Sequence, residues 1–514
     1  MVKTIPERFE ELQAKLKPLW QSIQTLNQDE QTVVVVPSLT LDSVRGRGPG
    51  SAMQPYEERF LFLLLLLRQP RARLVYITSQ AINASIIDYY LDLLPGVIPS
   101  HARKRLFLVS PLDGSARPLT EKLLERPRLL ERIRSLISDP DRAHLVPYNT
   151  TELERDLAVQ LGIPMYGADP KFFHWGTKSG CRRLFSEEDV PHPLGVEDLW
   201  SVSEIATAIA KMRVEKPSIK KVLIKLNEGV SGEGNALVEL EGVPAPGHCD
   251  EMLAIETSIS SMKLENTHEQ TARYISDLER HGGVVEELIE GEDFRSPSVQ
   301  LRVTPLGDLE ILSTHDQLLG GPRGQTYLGC RFPADTQYAT AITVHAKKIG
   351  LRLAKEGVIG RFALDFVVVK SAGGWDPYAI EVNLRKGGTT HPFLTLQFLT
   401  DGKYSPETGI FHAPNGLEKC FVATDHAESD SYRGLTPDDL FDIVVRNGLH
   451  FDQVKQTGVV FHMMSGLSEH GFTGLTAVGN SHKEADRFYD QAVSILNKEA
   501  DRAFIDLGIP SSSE

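Results

Sequence analysis

Short apolar runs of one kind recur through the first third of the chain. Thr32-Val-Val-Val-Val-Pro37, Arg73-Leu-Val-Tyr-Ile-Thr78 and Arg105-Leu-Phe-Leu-Val-Ser110 are rich in β-branched residues and do not alternate with polar ones. Such runs predict strands buried on both faces, as in a parallel sheet. Helical periodicity separates them, so residues 1–170 read as a doubly wound βαβ unit, with residues 45–50 (RGRGPG) as a basic loop after the first strand. The run Phe60-Leu-Phe-Leu-Leu-Leu-Leu-Leu67 is apolar throughout. As a helix it reaches only about 12 Å, far short of the ~20 residues that cross a bilayer, so a buried core helix is expected.

From Lys171 the pattern changes. Helical segments at 177–185, 202–212 and 266–281 alternate with strand-like stretches at 222–225, 236–240 and 284–289. Alternating strands follow at 298–304 and 309–314, then a segment that reads as a polar loop, THDQLLGGPRGQTYLGCR, from Thr314 to Arg331. A helix at 339–356 leads to two further strands, Phe362-Ala-Leu-Asp-Phe-Val-Val-Val369 and Tyr378-Ala-Ile-Glu-Val-Asn-Leu-Arg385. The last hundred residues or so hold a glycine-rich β stretch and a helix opened by the capping box Ser481-His-Lys-Glu484. Its apolar face is Ala485, Phe488, Ala492, Val493 and Leu496.

Composition narrows the function. Hydrophobic residues at 41% and charged residues at 24% are those of a soluble globular protein, and 514 residues exceed one core. A formal net charge of -14 argues against a nucleic-acid partner, because phosphate backbones need a basic surface. The chain begins with charges throughout and no apolar core, so no signal peptide or membrane segment is expected. Cys181, Cys249, Cys330 and Cys420 are scattered without a CxxC pair, which points to free thiols in the cytoplasm.

Two features carry chemistry. In Lys225-Leu-Asn-Glu-Gly-Val-Ser-Gly-Glu-Gly-Asn235 a lysine precedes three glycines, the reverse of a P-loop, where the lysine follows them. In Ile380-Glu-Val-Asn-Leu384, Glu381 and Asn383 are two apart, so a strand points both to one face, and Asp365 is expected opposite them. Polar residues on a half-exposed sheet would share this spacing. Asp365, however, lies among Leu364 and Phe366-Val-Val-Val369, where an unpaired carboxylate is costly. Two carboxylates and an amide oxygen are hard ligands suited to Mg²⁺.

The order of these features resembles the ATP-grasp superfamily. The resemblance implies two α+β lobes gripping ATP, preceded by a Rossmann-like domain and followed here by a C-terminal extension. The expected boundaries are 1–170, 171–290 (small lobe), 291–420 (large lobe) and 421–514. It assigns Lys178 and Lys225 to the phosphates and Gly229, Ser231, Gly232, Glu233 and Gly234 to a lid. It gives the backbone of Glu286, Glu287, Leu288 and Ile289 to adenine. Asp293 is assigned to the ribose, with Glu290 or Glu292 as alternatives. Asp365, Glu381 and Asn383 hold magnesium, or manganese in its stead. Arg385, followed by Gly387, matches an arginine that meets the substrate carboxylate or acyl phosphate. Arg361 matches less closely, preceding Asp365 by four residues rather than two.

The segment from Thr314 to Arg331 occupies the place of a substrate-facing loop, which makes His315, Asp316, Arg323 and Arg331 candidates. His391 either lines the site or caps the next helix. GRFALDFVVV, EVNLRKGGTTHP and the tail GVVFHMMSGL…GFTGLTAVGNS also resemble the pheganomycin-type peptide ligases. That resemblance implies an ATP-dependent carboxylate–amine ligase acting through an acyl phosphate on small molecules, an amino acid-like acid and an amino acid or peptide amine. The family often forms homodimers. A phosphotransferase or a non-catalytic nucleotide-binding protein are the alternatives on this fold.

Overall fold

The structure is a computed structural model and describes residues 3–24, 30–40, 53–229, 232, 234–267, 269–321 and 324–506. Strands β1 (Gln31–Val36), β2 (Ala72–Ile77), β3 (Leu106–Val109) and β4 (Ala143–Pro147) form a parallel sheet in the order β3-β2-β1-β4. The unbroken valine run has a direct explanation. Val33 and Val35 face one hydrophobic cluster and Val34 and Val36 the other, so neither side is polar. The fourth strand, Ala143-His-Leu-Val-Pro147, is short and carries a histidine and a proline, which hides it from pattern reading. The run Phe60–Leu67 is buried as expected but forms a 3-10 helix, Arg59–Arg68, instead of an α-helix. A segment apolar on every side has no stripe to select the α period.

The second sheet is antiparallel. It comprises β5 (Gly195–Leu199), β6 (Lys221–Leu226), β7 (Asn235–Glu239), β8 (Lys263–Leu264) and β9 (Gly283–Glu287), in the order β5-β9-β6-β7-β8. Helices Val202–Glu215, Glu251–Ser260 and Thr271–His281 cover one face, where Val222, Ile224 and Val285 meet Ile209, Ile255 and Tyr274. The alternation therefore turns Leu223, Lys225 and Glu286 to the other face.

The third sheet holds β10 (Phe294–Arg295), β11 (Pro297–Val303), β12 (Leu309–Gly320), β13 (Thr326–Phe332), β14 (Gly360–Ser371) and β15 (Gly374–Asn383). A separate hairpin, β16 (Lys403–Ser405) with β17 (Ile410–His412), follows. Then β18 (Cys420–Glu428), β19 (Gly458–His462) and β20 (Phe472–Gly479) rejoin the third sheet through β13–β18 pairing. The C-terminal residues thus extend this sheet. Helix Thr336–Glu356 packs Tyr338, Ile342, Ile349 and Leu353 against Val299, Leu301, Leu364 and Val382 on one face. The final helix, His482–Asp506, opens with the Glu484 amide donating to Ser481 Oγ at 3.2 Å.

One expectation is corrected here. The segment from Thr314 to Arg331 is not a loop. It is most of the hairpin β12–β13, with Asp316 opposite Arg331 and a turn after Gly320. Its glycines and polar residues masked an alternating strand. Among the described residues, no helix is long and apolar enough to cross a membrane.

Candidate active site

Strands β14 and β15 place Asp365 directly opposite Glu381, and Ala363 opposite Asn383. Leu364 and Val382, between them in sequence, point into the core, so the polar set faces the cleft between the second and third sheets. Asn383 Nδ2 donates to Asp365 Oδ2 at 2.9 Å, and Gln317 Nε2 from β12 donates to Oδ1 at 2.9 Å. Burial pushes the Asp365 carboxyl up to about 7, and the Glu381 charge beside it adds to the effect. Two crowded carboxylates and an amide oxygen form a donor set that fits Mg²⁺, and a divalent cation would relieve their repulsion.

Two lysines approach this row from different elements. Lys178 opens the helix Lys178–Glu187, whose first turn is capped by Thr177 Oγ1 accepting from the Gly180 amide. Lys178 Nζ lies 2.6 Å from Glu381 Oε1 and 3.3 Å from the Gly229 carbonyl. Lys225, on the cleft face of β6, pairs with the buried Glu286 carboxylate, which Arg182 Nη1 also contacts at 3.0 Å. Burial alone would raise the Glu286 carboxyl, but Lys225 and Arg182 outweigh it and hold it below its ordinary value. The Glu286 side chain is thus the counter-ion of Lys225. Glu286, Glu287, Leu288 and Ile289 all line the cleft, which has a volume of about 410 Å³. Leu223, Phe294 and Phe366 supply apolar lining at the same end.

The glycine-rich segment is the turn of the β6–β7 hairpin. Its neck is tight: a side chain on Gly229 would start 2.9 Å from Gly234 Cα. Gly232 has φ +81°, and a Cβ there would sit 2.7 Å from the Gln325 carbonyl. Asn235 Nδ2 donates to Gln325 Oε1, so the hairpin end rests on the turn between β12 and β13. Ser231, Glu233, Arg323 and residues 45–50 lie outside the described residues.

Arg385 follows β15 and lines this cleft and a second cavity of about 540 Å³, which also touches Asn149, Phe172 and Asn227. Gly387 lines the cleft as well.

Five other expectations are corrected. Asp293 faces away, paired with Arg295 at 2.7 Å, because the β10–β14 pairing turns it to the sheet edge. His315 shares the strand face of Gln317 but is covered by Phe332, Phe393 and Phe421, and burial pushes it down to about 3. Arg361 is buried beside Arg302; burial first, and then the Arg302 charge, brings it down to about 10. Arg331 bonds Asp486 of the final helix with both contacts at 2.9 Å. His391 neither lines the cleft nor caps its helix. It is buried against His462 and Asp425, and Asp425 is what the cleft sees.

Asp316 accepts from the Asp335 amide and the Tyr338 hydroxyl, fixing the start of helix Thr336–Glu356. The residues that sequence reasoning missed are Gln317, Arg182 and, at the far end of the cleft, Arg59 and Asp425. For Gln317 the signal was present, since it follows His315 by two, but only within a strand.

Comparison with known proteins agrees with this geometry. Residues 172–271 and 248–403 match the family described as "IQCH-like, ATP-grasp", and residues 439–492 match "PGM1 C-terminal domain". Residues 172–403 thus match an ATP-grasp family model, and the chain resembles that superfamily. An L-propargylglycine–L-glutamate ligase of Streptantibioticus cattleyicolor is 29% identical over 446 residues, covering 85% of this chain and 89% of that protein. IQ motif-containing protein H of Danio rerio is 23% identical over 452 residues, covering 79% of this chain but only 42% of that protein. Among solved structures, biotin carboxylase from Campylobacter jejuni superposes with a TM-score of 0.54 at 13% identity, covering 91% of this chain and 96% of that one. At that identity the ATP-grasp fold alone is shared. The second and third sheets are its two lobes.

Proposed function

We propose that this chain is an ATP-dependent carboxylate–amine ligase. It joins an amino acid-like carboxylate to the amine of an amino acid or peptide and releases ADP and phosphate. The observation that carries the reading is the convergence of Lys178, Lys225, Arg385 and the Asp365–Glu381–Asn383 row on one cleft between two lobes. The 29% identical relative, a ligase by name, supports it over most of both chains.

The chemistry follows from charge. The adenine would lie against the backbone of residues 286–289, with Leu223, Phe294 and Phe366 about it. The lysines would then meet the phosphates, exchanging part of their hold on Glu286 and Glu381 for phosphate oxygens. Asp365, Glu381 and Asn383 would hold Mg²⁺, or Mn²⁺ with the same hard-oxygen preference, which when bound offsets phosphate charge. A substrate carboxylate oxygen attacks the γ-phosphorus and the β–γ bond breaks, giving an acyl phosphate and ADP. The Arg385 guanidinium is placed to stabilise the oxygens that gain charge. The amine nitrogen then attacks the acyl carbon, the C–O bond to phosphate breaks, and the departing phosphate carries off the amine proton. Closure of the hairpin end over the cleft excludes water from the acyl phosphate. No protein nucleophile is required. Burial pushes the thiol of Cys181, in the helix that Lys178 opens, up to about 12, which leaves it inert.

The test is trapping. With ATP, Mg²⁺ and the acid that supports turnover, hydroxylamine should yield that acid's hydroxamate and one ADP per hydroxamate. A phosphoester product without free phosphate would replace the ligase reading with a kinase.

A further inference from the structure

The cleft continues past the phosphate row to an end that the ligase chemistry above does not use. Its lining there includes Arg59, Tyr56, Tyr148, Tyr327 and Asp425. Arg59 comes from the head of the 3-10 helix Arg59–Arg68, so the N-terminal region, which also lines the cleft with Leu39, Tyr56 and Tyr148, supplies it with a cation. Its guanidinium lies over two rings, with Cζ 4.8 Å from the Tyr56 centroid and 5.2 Å from that of Tyr148. Arg59 is 8% exposed. Nη1 donates to Asp425 Oδ2 at 2.9 Å, and Nε is buried without a partner. Among the described residues, Asp425 is its only hydrogen-bond partner. Nη1 is thus held, and Nε is left unpaired.

Asp425 is itself fixed. Its Oδ1 lies 2.9 Å from His462 Nε2 and 3.2 Å from His391 Nε2, and these nitrogens are 3.0 Å apart. The His462 ring lies flat on β20 because residue 474 is glycine; a Cβ there would sit 2.1 Å from Nε2. Two imidazoles and a carboxylate at such spacing also resemble a divalent-metal face. Charge decides against it. A divalent ion there would sit against the Arg59 guanidinium in a dry site, where two cations repel strongly. The histidines instead orient the acid, and the acid and the two tyrosines orient the arginine, as outer partners orient a binding group.

Ligation consumes one carboxylate and leaves any other intact. The consumed one must sit beside Arg385 and the metal row. A second, separate cation with an unpaired donor therefore fits a carboxylate that stays charged throughout. Resting on the ligase reading, we propose that Arg59 receives the α-carboxylate of the acceptor. The acceptor is then an α-amino acid rather than a simple amine. Asp425, His391 and His462 are positioning residues for Arg59.

The experiment compares each proteinogenic L-amino acid with its α-carboxamide as acceptor, in the wild type and in the Arg59→Met, Arg59→Lys and Asp425→Asn variants. The wild type should prefer the acid by about 100-fold in kcat/KM. Arg59→Met should raise the acceptor KM by about 100-fold and treat acid and carboxamide alike, with the KM for ATP unchanged as the check on folding. Arg59→Lys, which keeps the charge without the fork, should fall between. Asp425→Asn should raise the acceptor KM less than Arg59→Met does. A wild type indifferent to the carboxamide, or an Arg59→Met variant that still discriminates, overturns the assignment. Thermal shift separates it from the ligase reading. An amino acid that raises the melting temperature of the wild type, while its carboxamide does not and Arg59→Met shows no shift, supports Arg59 even with no ADP released. No shift with any amino acid overturns it.

Discussion

The two ends of the cleft handle positive charge in different ways. At the phosphate end each lysine already has a carboxylate: Lys178 has Glu381 and Lys225 has Glu286. At the far end Arg59 leaves Nε unpaired, while Asp425 and two tyrosine rings lock the guanidinium in place. Binding at the first end is therefore an exchange of partners, and binding at the second fills a preformed receptor. Both ends are self-neutralised, since Asp425 balances Arg59 as Glu381 and Glu286 balance the lysines, and that lets the fold keep buried cations. The price is that each phosphate contact, on the proposed function, would be a difference between two ion pairs.

Glu381→Gln should lower turnover by about 100- to 1000-fold, because it removes a proposed cation ligand and the partner of Lys178 together. Its urea midpoint should stay near that of the wild type, since Glu381 is partly exposed. Lys225→Met should lose as much activity and stability besides, because it leaves buried Glu286 with Arg182 alone. Urea titration of the two variants separates those effects, and an unchanged midpoint for Lys225→Met would mean the pair contributes little.

Next in size come the Arg59 variants, which should affect the acceptor alone. Smaller still is Gly232→Ala. A side chain at φ +81° beside the Gln325 carbonyl should hold the hairpin end open, lowering kcat by about tenfold and raising the share of ATP hydrolysed without product. Equal coupling in variant and wild type would show that this contact does not close the cleft.

The smallest expected effect on catalysis is that of His315→Phe, within about twofold of wild type, because His315 sits among Phe332, Phe393 and Phe421. Its effect on acid stability has a definite sign. The folded pKa is near 3 against an ordinary 6.5, so below pH 6.5 the unfolded chain takes up a proton that the folded one refuses. Stability therefore falls as pH drops through that window, by about 2 kcal/mol between pH 6.5 and 5. Urea denaturation at pH 7 and pH 5 should show the phenylalanine variant spared that loss. Lost turnover at pH 7 would return His315 to the chemistry.

How legible each end was follows from what encodes it. Asp365, Glu381 and Asn383 lie on two consecutive strands, and period-two alternation alone puts them on one face. Lys225 is on the strand that leads into the glycines, so its side of the sheet could also be read locally. Arg59, by contrast, precedes an apolar run whose burial is obvious and whose one charged head looks incidental. Its partner Asp425 is 366 residues away, and nothing local marks either. His315 and Arg331 were misplaced for a related reason. Polar residues and glycines suggested a loop, and only pairing with β11 and β18 makes the segment sheet.

From sequence alone, then, the chain determined its strand runs, the order of Lys178, Lys225 and the glycines, and the Asp365–Glu381–Asn383 row. Each of these depends on local periodicity or on residues a few positions apart. Tertiary structure decided which polar residues meet the cleft, which cations are already paired, and that a buried 3-10 helix delivers Arg59 to its far end. Contacts of that kind join segments hundreds of residues apart, and burial and charge balance, which set their character, exist only once those segments have packed.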